Sequence, residues 1–208
     1  MDSTIIEALF RYFEALYNLN KNLLTLCGTN AYDHIEKQED YIDKIVITIP
    51  RLIPCQVMRD SDEIKLIAKD GLMRFSNDIP FLSLDYENLL QNHKDILAKV
   101  KKIRNKLEHE IDNARVKSSC SSPSSVFHVT YKIDEKSFTI HSEELIQMVK
   151  DLNALFSKIQ KDVRIFASQN NKQTDKYLWR LTRYDFINFN KIYESDLLPV
   201  FGQSMLPF

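Results

Sequence analysis

The segment from about Asp85 to Val116 contains neither glycine nor proline. Its apolar residues Leu89, Leu90, Ile96, Leu97, Val100, Ile103, Leu107 and Ile111 recur at steps of three and four, the period of one helix face. This predicts one long amphipathic helix. A stripe of that length must be buried against other packed elements. The rest of the chain shares the bias, with three glycines and six prolines in 208 residues. Sandwiches and barrels need many turns and so many turn residues; their scarcity here predicts a mainly α fold.

The other elements follow from the same periodicity. Ser3 to Leu26 reads as a helix, capped by Asp2 or Ser3 and stopped by Gly28. A second helix is expected over about Tyr32–Ile47, with Tyr41, Ile42, Ile45, Val46 and Ile49 on its apolar face. Pro50 and Pro54 then bracket a break. A third helical stretch is expected from Ser61 to about Phe75, weakened by Gly71. The run KSSCSSPSS after Val116 is small, polar and proline-interrupted, which marks residues 117–125 as a loop. Beyond it Phe127, Val129, Tyr131 and Ile133 alternate with His128, Thr130 and Lys132, and Phe138 and Ile140 follow Asp134-Glu135-Lys136. That pattern predicts a small β-hairpin near 126–141. Ser142 with Glu143 and Glu144 opens a last helix, to about Ala167. The division expected is a helical domain over 1–168 and an aromatic-rich extension over 169–208.

Composition excludes more than it selects. Apolar residues make up 44%, enough for a packed core, and the net charge is −1, so no global basic field announces nucleic acid. Cys27, Cys55 and Cys120 are odd in number and far apart, without a CxxC pair. They read as reduced thiols in a cytoplasm rather than a disulfide framework or zinc site. The start MDSTIIEALFRYF is acidic and amphipathic, unlike a secretory leader. No apolar run reaches membrane-spanning length, so no membrane partner is expected. Phosphate-loop, dinucleotide, HExxH and GxSxG signatures do not occur, so no cofactor and no metal are expected.

The chemistry-bearing segment is Arg104-Asn105-Lys106-Leu107-Glu108-His109. At about 100° per residue, His109 lies opposite the buried stripe, since it stands two positions from both Leu107 and Ile111. Asn105, four residues earlier, shares its face. Arg104 sits on the flank, about 140° from His109, within reach of a shared phosphate through its long side chain. One helix face is convex, whereas catalysis needs a concave, water-excluding pocket. A second copy of the face across a two-fold axis supplies one, so a homodimer is expected.

RNKLEH resembles the HEPN superfamily's motif: an arginine, a polar residue, three variable residues and a histidine, late on a long helix with further helices around it. The resemblance implies a HEPN-like antiparallel helical bundle, here with the small hairpin insertion, over roughly Ser3–Ala167. It also implies a metal-independent endoribonuclease whose composite site forms at a dimer interface, acting as a toxin or antiviral-defence effector with an antitoxin or defence-system partner. Carried over by position, His109 is the general acid/base, Arg104 binds the scissile phosphate, and Asn105 orients His109 or the phosphate. The alternative is a non-catalytic HEPN-like module that binds nucleotide, RNA or protein through the same face. Ile111 stands where some HEPN toxins carry a tyrosine two residues after the histidine, so the chain is not assigned to that branch.

Charge around the motif suits RNA: Lys94 to Lys117 holds eight Lys/Arg against four acids. Lys101, Lys102 and Lys106 are the expected RNA-binding residues, although a solvated helix face is the commoner source of such a run. The tail KYLWRLTRYDFINFNK interleaves bases and aromatics, which can stack nucleobases. An amphipathic segment packing on the core or a partner is the expected role. His128 and His141 read as ordinary hairpin residues, and His34 and His93 carry no visible chemistry.

Overall fold

A computed structural model of the chain describes residues 3–28, 35–60, 63–69, 71–109, 128–133 and 136–169. Residues 110–127, including the expected loop 117–125 and the stretch up to Val116, lie outside these, as does 170–208. Among the described residues the chain forms five α-helices and two separate two-stranded hairpins. They are α1 (Ser3–Gly28), α2 (Ile35–Leu52), β1 (Cys55–Asp60), β2 (Glu63–Ala68), α3 (Leu82–Asn92), α4 (Lys94–His109), β3 (His128–Ile133), β4 (Lys136–His141) and α5 (Ser142–Gln169). A 3₁₀ turn, Leu72–Phe75, joins β2 to α3. The mainly α reading holds, and the expected hairpin is present at His128–His141.

The helices form because each has a stripe to bury. In α1 the stripe is Ile6, Leu9, Phe10, Phe13, Leu16, Leu19 and Leu23, all buried. Each such side chain contributes roughly 1.5–3 kcal/mol on leaving water. Helix α1 packs along α2, α2 along α4, and α5 against α1 and α3. Inside the core, Asn20 and Asn153 exchange reciprocal amide hydrogen bonds of 2.9 and 2.8 Å, linking α1 to α5. Asn20 also donates to the Leu16 carbonyl at 2.8 Å. These bonds offset the desolvation of two buried amides.

Three local expectations are corrected. The stretch from Ser61 to Phe75 is not a helix. It is the second strand of a hairpin followed by the 3₁₀ turn. The strands pair antiparallel with Cys55 opposite Ala68 and Val57 opposite Leu66. Cys55 and Leu66 are buried, while Gln56, Met58, Lys65 and Ile67 are exposed, the period of two that a half-buried strand shows. Next, Pro50 does not stop α2, which runs on to Leu52. Proline there forfeits the backbone bond to the carbonyl four residues earlier, a cost offset by the full burial of Ile49, Leu52 and Ile53 around it. Third, Asp85–Val116 is not one helix. It is interrupted at His93, whose φ of −118° and ψ of 22° leave the helical region. The His93 side chain is buried, with Nε2 2.8 Å from Asp151 on α5. A tertiary contact rather than glycine or proline makes this break.

Candidate functional site

Helix α4 presents two adjacent strips on the same side of the fold. The inner strip is Leu97, Lys101 and Arg104, at helical steps of four and three. It faces a cleft of about 170 Å³, closed on the other side by Pro50, Ile53, Pro54, Cys55 and Lys69. The outer strip carries Asn105, which is exposed, and one turn later the backbone of His109, the last residue of α4. Leu107 is half-buried against the core. Thus Asn105 lies on solvent, and Arg104 reaches inward from the edge of that face. The side chain of His109 lies outside what the structure describes.

Arg104 is the residue most constrained by its surroundings. Nη2 pairs with Glu108 Oε2 at 2.6 Å, one turn along the helix. Nη1 reaches Asn105 Oδ1 at a long 3.5 Å. Nε is buried without a hydrogen-bond partner. Glu108 is shared: its other oxygen lies 3.7 Å from Arg51 at the end of α2. With the Arg51 side chain 65% exposed, that second contact is weak. A guanidinium presents a planar fork suited to carboxylate or phosphate oxygens. Here one arm of the fork is taken by an internal carboxylate.

The opposite wall of the cleft is held in place by several contacts. The Pro54 carbonyl accepts from the Lys69 N–H at 3.0 Å and from the Tyr86 hydroxyl at 3.1 Å. Burial, then the neighbouring Cys55 and Tyr12, push the Tyr86 phenol pKa up, so it stays a donor. Gly71 has φ +125°, and a Cβ there would lie 2.5 Å from Pro54 Cγ. Only glycine suits that close approach. Lys101 donates through Nζ to the Cys55 carbonyl and so joins α4 to β1. Burial lowers the Lys101 pKa, and the charges of Lys69 and Arg104 lower it further against an opposing effect of Cys55. The Cys55 thiol is pushed up by burial, opposed by Lys101 and Lys69.

The expected RNA-binding lysines separate. Lys101 lines the cleft. Lys102 lies over the Phe138 ring, 4.4 Å from its centroid, and ties α4 to the second hairpin. Lys106 is half-buried on α4, outside the cleft lining. Lys69 and Pro54 belong to the site and were not among the sequence candidates. Lys69 falls within the stretch read as helix and Pro54 closes the expected break, and only the β1–β2 pairing brings them opposite α4. Cross-strand His128 and His141 have ring centroids 6.0 Å apart. Among the described residues no cluster of three or more His, Cys, Asp or Glu side chains is arranged to hold a metal. No helix there is long and apolar enough to cross a membrane. Comparison with known proteins finds no matching family model, no matching curated protein and no matching solved structure.

Proposed function

We propose that this chain is a HEPN-like, metal-independent endoribonuclease whose site is Arg104, Asn105 and His109, completed by the same residues of a second copy. The observation that carries the reading is the position of Arg104. Its guanidinium sits beside exposed Asn105 at the mouth of a cleft that also holds Lys69 and Lys101. A scissile phosphate laid over the strip at Asn105 meets the remaining donors of Arg104 at the edge of that cleft. His109, one turn beyond Asn105 on α4, supplies an imidazole, the side chain most often used to give and take protons in such a step. In the reaction the ribose 2′-oxygen attacks phosphorus and loses its proton to one imidazole. The 5′-oxygen leaves with a proton from the other. The products are a 2′,3′-cyclic phosphate and a 5′-hydroxyl. Such an activity suits a toxin or antiviral-defence effector restrained by an antitoxin or another defence-system component.

One observation favours a second reading, a non-catalytic nucleotide-, RNA- or protein-binding module. The 2.6 Å Arg104–Glu108 pair occupies the arm of the guanidinium that a phosphate would take. The two readings part on turnover. The enzyme cuts single-stranded RNA in the presence of EDTA and loses that activity in His109→Ala. The module binds RNA or nucleotide in both proteins and yields no product.

A further inference from the structure

We propose that the cleft between α4 and residues 50–55 is a site for one phosphate group, of an RNA strand or a free nucleotide, gripped by Lys69, Lys101 and Arg104. Its choice of ligand rests on the reading above; its existence as an anion site does not. Three cationic side chains and no carboxylate line it, amid Pro50, Ile53, Pro54, Cys55 and Leu97. Cations gathered on one small cavity repel one another, and the lowered Lys101 pKa records that cost alongside burial. An anion in the cleft relieves it. Arg104 contributes a buried Nε that has no hydrogen-bond partner. Lys101 uses one of its three ammonium donors on the Cys55 carbonyl and keeps two. Lys69 is exposed and forms no ion pair among the described residues.

Size selects the ligand further. About 170 Å³ falls short of the roughly 300–1,000 Å³ of pockets that enclose drug-sized molecules. The cleft therefore takes a phosphate and leaves sugar and base outside. Because Arg104 borders both this cleft and exposed Asn105, an RNA strand lays its scissile phosphate over the outer strip and a neighbouring phosphate in the cleft.

The test uses the full chain and three probes: inorganic phosphate, adenosine 5′-monophosphate and a short single-stranded RNA. Binding is measured by titration calorimetry and, for RNA, by anisotropy across a salt series. Lys69→Gln is the main variant, because its side chain is exposed and its loss leaves the fold intact. Lys101→Gln is the second, and Lys161→Gln on α5 is the charge control. Expected is a roughly three- to tenfold loss of RNA affinity in each cleft variant. The salt slope should fall by about 0.7 for the lost phosphate contact. The control should change neither. Phosphate and the mononucleotide bound without RNA binding identify a free nucleotide as the source; competition between the mononucleotide and RNA identifies the strand. Wild-type protein that binds none of the probes, or equal affinity and slope in both cleft variants, overturns the site. RNA cleavage with unchanged KM in Lys69→Gln overturns the site and leaves the nuclease reading standing. Anion binding that Lys69→Gln weakens, in a protein that cuts no RNA, keeps the site and removes the nuclease.

Discussion

At the scale of single residues, helical phase was enough to place the α4 motif but not to pair it. The steps of three and four in the apolar stripe put Asn105 on solvent and Arg104 on the flank, and the structure agrees. The surroundings of Arg104 were not legible, because its partner Glu108 lies within the motif as a variable position and the cleft neighbour Lys69 comes from across the fold. Glu108→Gln tests the competition directly. The pair is partly exposed, so the stability change should stay within about 1 kcal/mol, while RNA affinity rises as the guanidinium fork is released. Weaker RNA binding in Glu108→Gln would show that the pair orients Arg104 rather than blocking it. Lys101 gives a pH prediction. Its folded pKa lies below the ordinary 10.5, so between the two values the unfolded chain holds a proton that the folded chain has released. Stability from this group therefore rises with pH across that window. Phosphate affinity falls in the same window as the ammonium is lost. Chemical denaturation and phosphate titration at stepped alkaline pH check the two opposite signs.

At the scale of elements, the second hairpin could be read and the first could not. Around His128–His141 the alternation of apolar and polar residues is clean, and no helical period competes with it. In Glu63–Ala68, Ile64, Ile67 and Ala68 also fit helical steps, and Ile67 is exposed in the strand against its hydrophobicity. Pairing with Cys55–Asp60 decides the matter, and pairing is not a local property. The His93 break has the same origin, since the contact that holds it comes from α5. Gly71 ties the hairpin to the cleft wall. Gly71→Ala should cost about 1–3 kcal/mol, because the backbone is at φ +125° and the added methyl meets Pro54. Urea unfolding measures the loss. A stability equal to wild type would mean that the Pro54 wall yields freely. For α1 and α5 the expectation concerns Asn20 and Asn153. Asn20→Ala strands a buried amide and should cost about 1–3 kcal/mol, more than replacing both asparagines by leucine, which removes both polar groups together.

At the scale of the whole molecule, a mainly helical fold carries its motif on a convex helix that its own two hairpins frame without enclosing. The β1–β2 hairpin supplies the wall opposite Lys101 and Arg104, and the β3–β4 hairpin is pinned to α4 through Lys102 and Phe138. Nothing among the described residues covers the outer strip at Asn105. A second copy laid across that strip is the requirement of the nuclease reading. Mixing Arg104→Ala with His109→Ala chains in one dimer should therefore give less activity than two intact motifs. The most direct measurement of the central claim is cleavage of single-stranded RNA by wild type and His109→Ala in EDTA, with the product ends identified. Wild type should give 2′,3′-cyclic phosphate and 5′-hydroxyl ends, and the variant a rate about 10²–10⁴-fold lower. Cleavage abolished by EDTA, or equal in the two proteins, would contradict it.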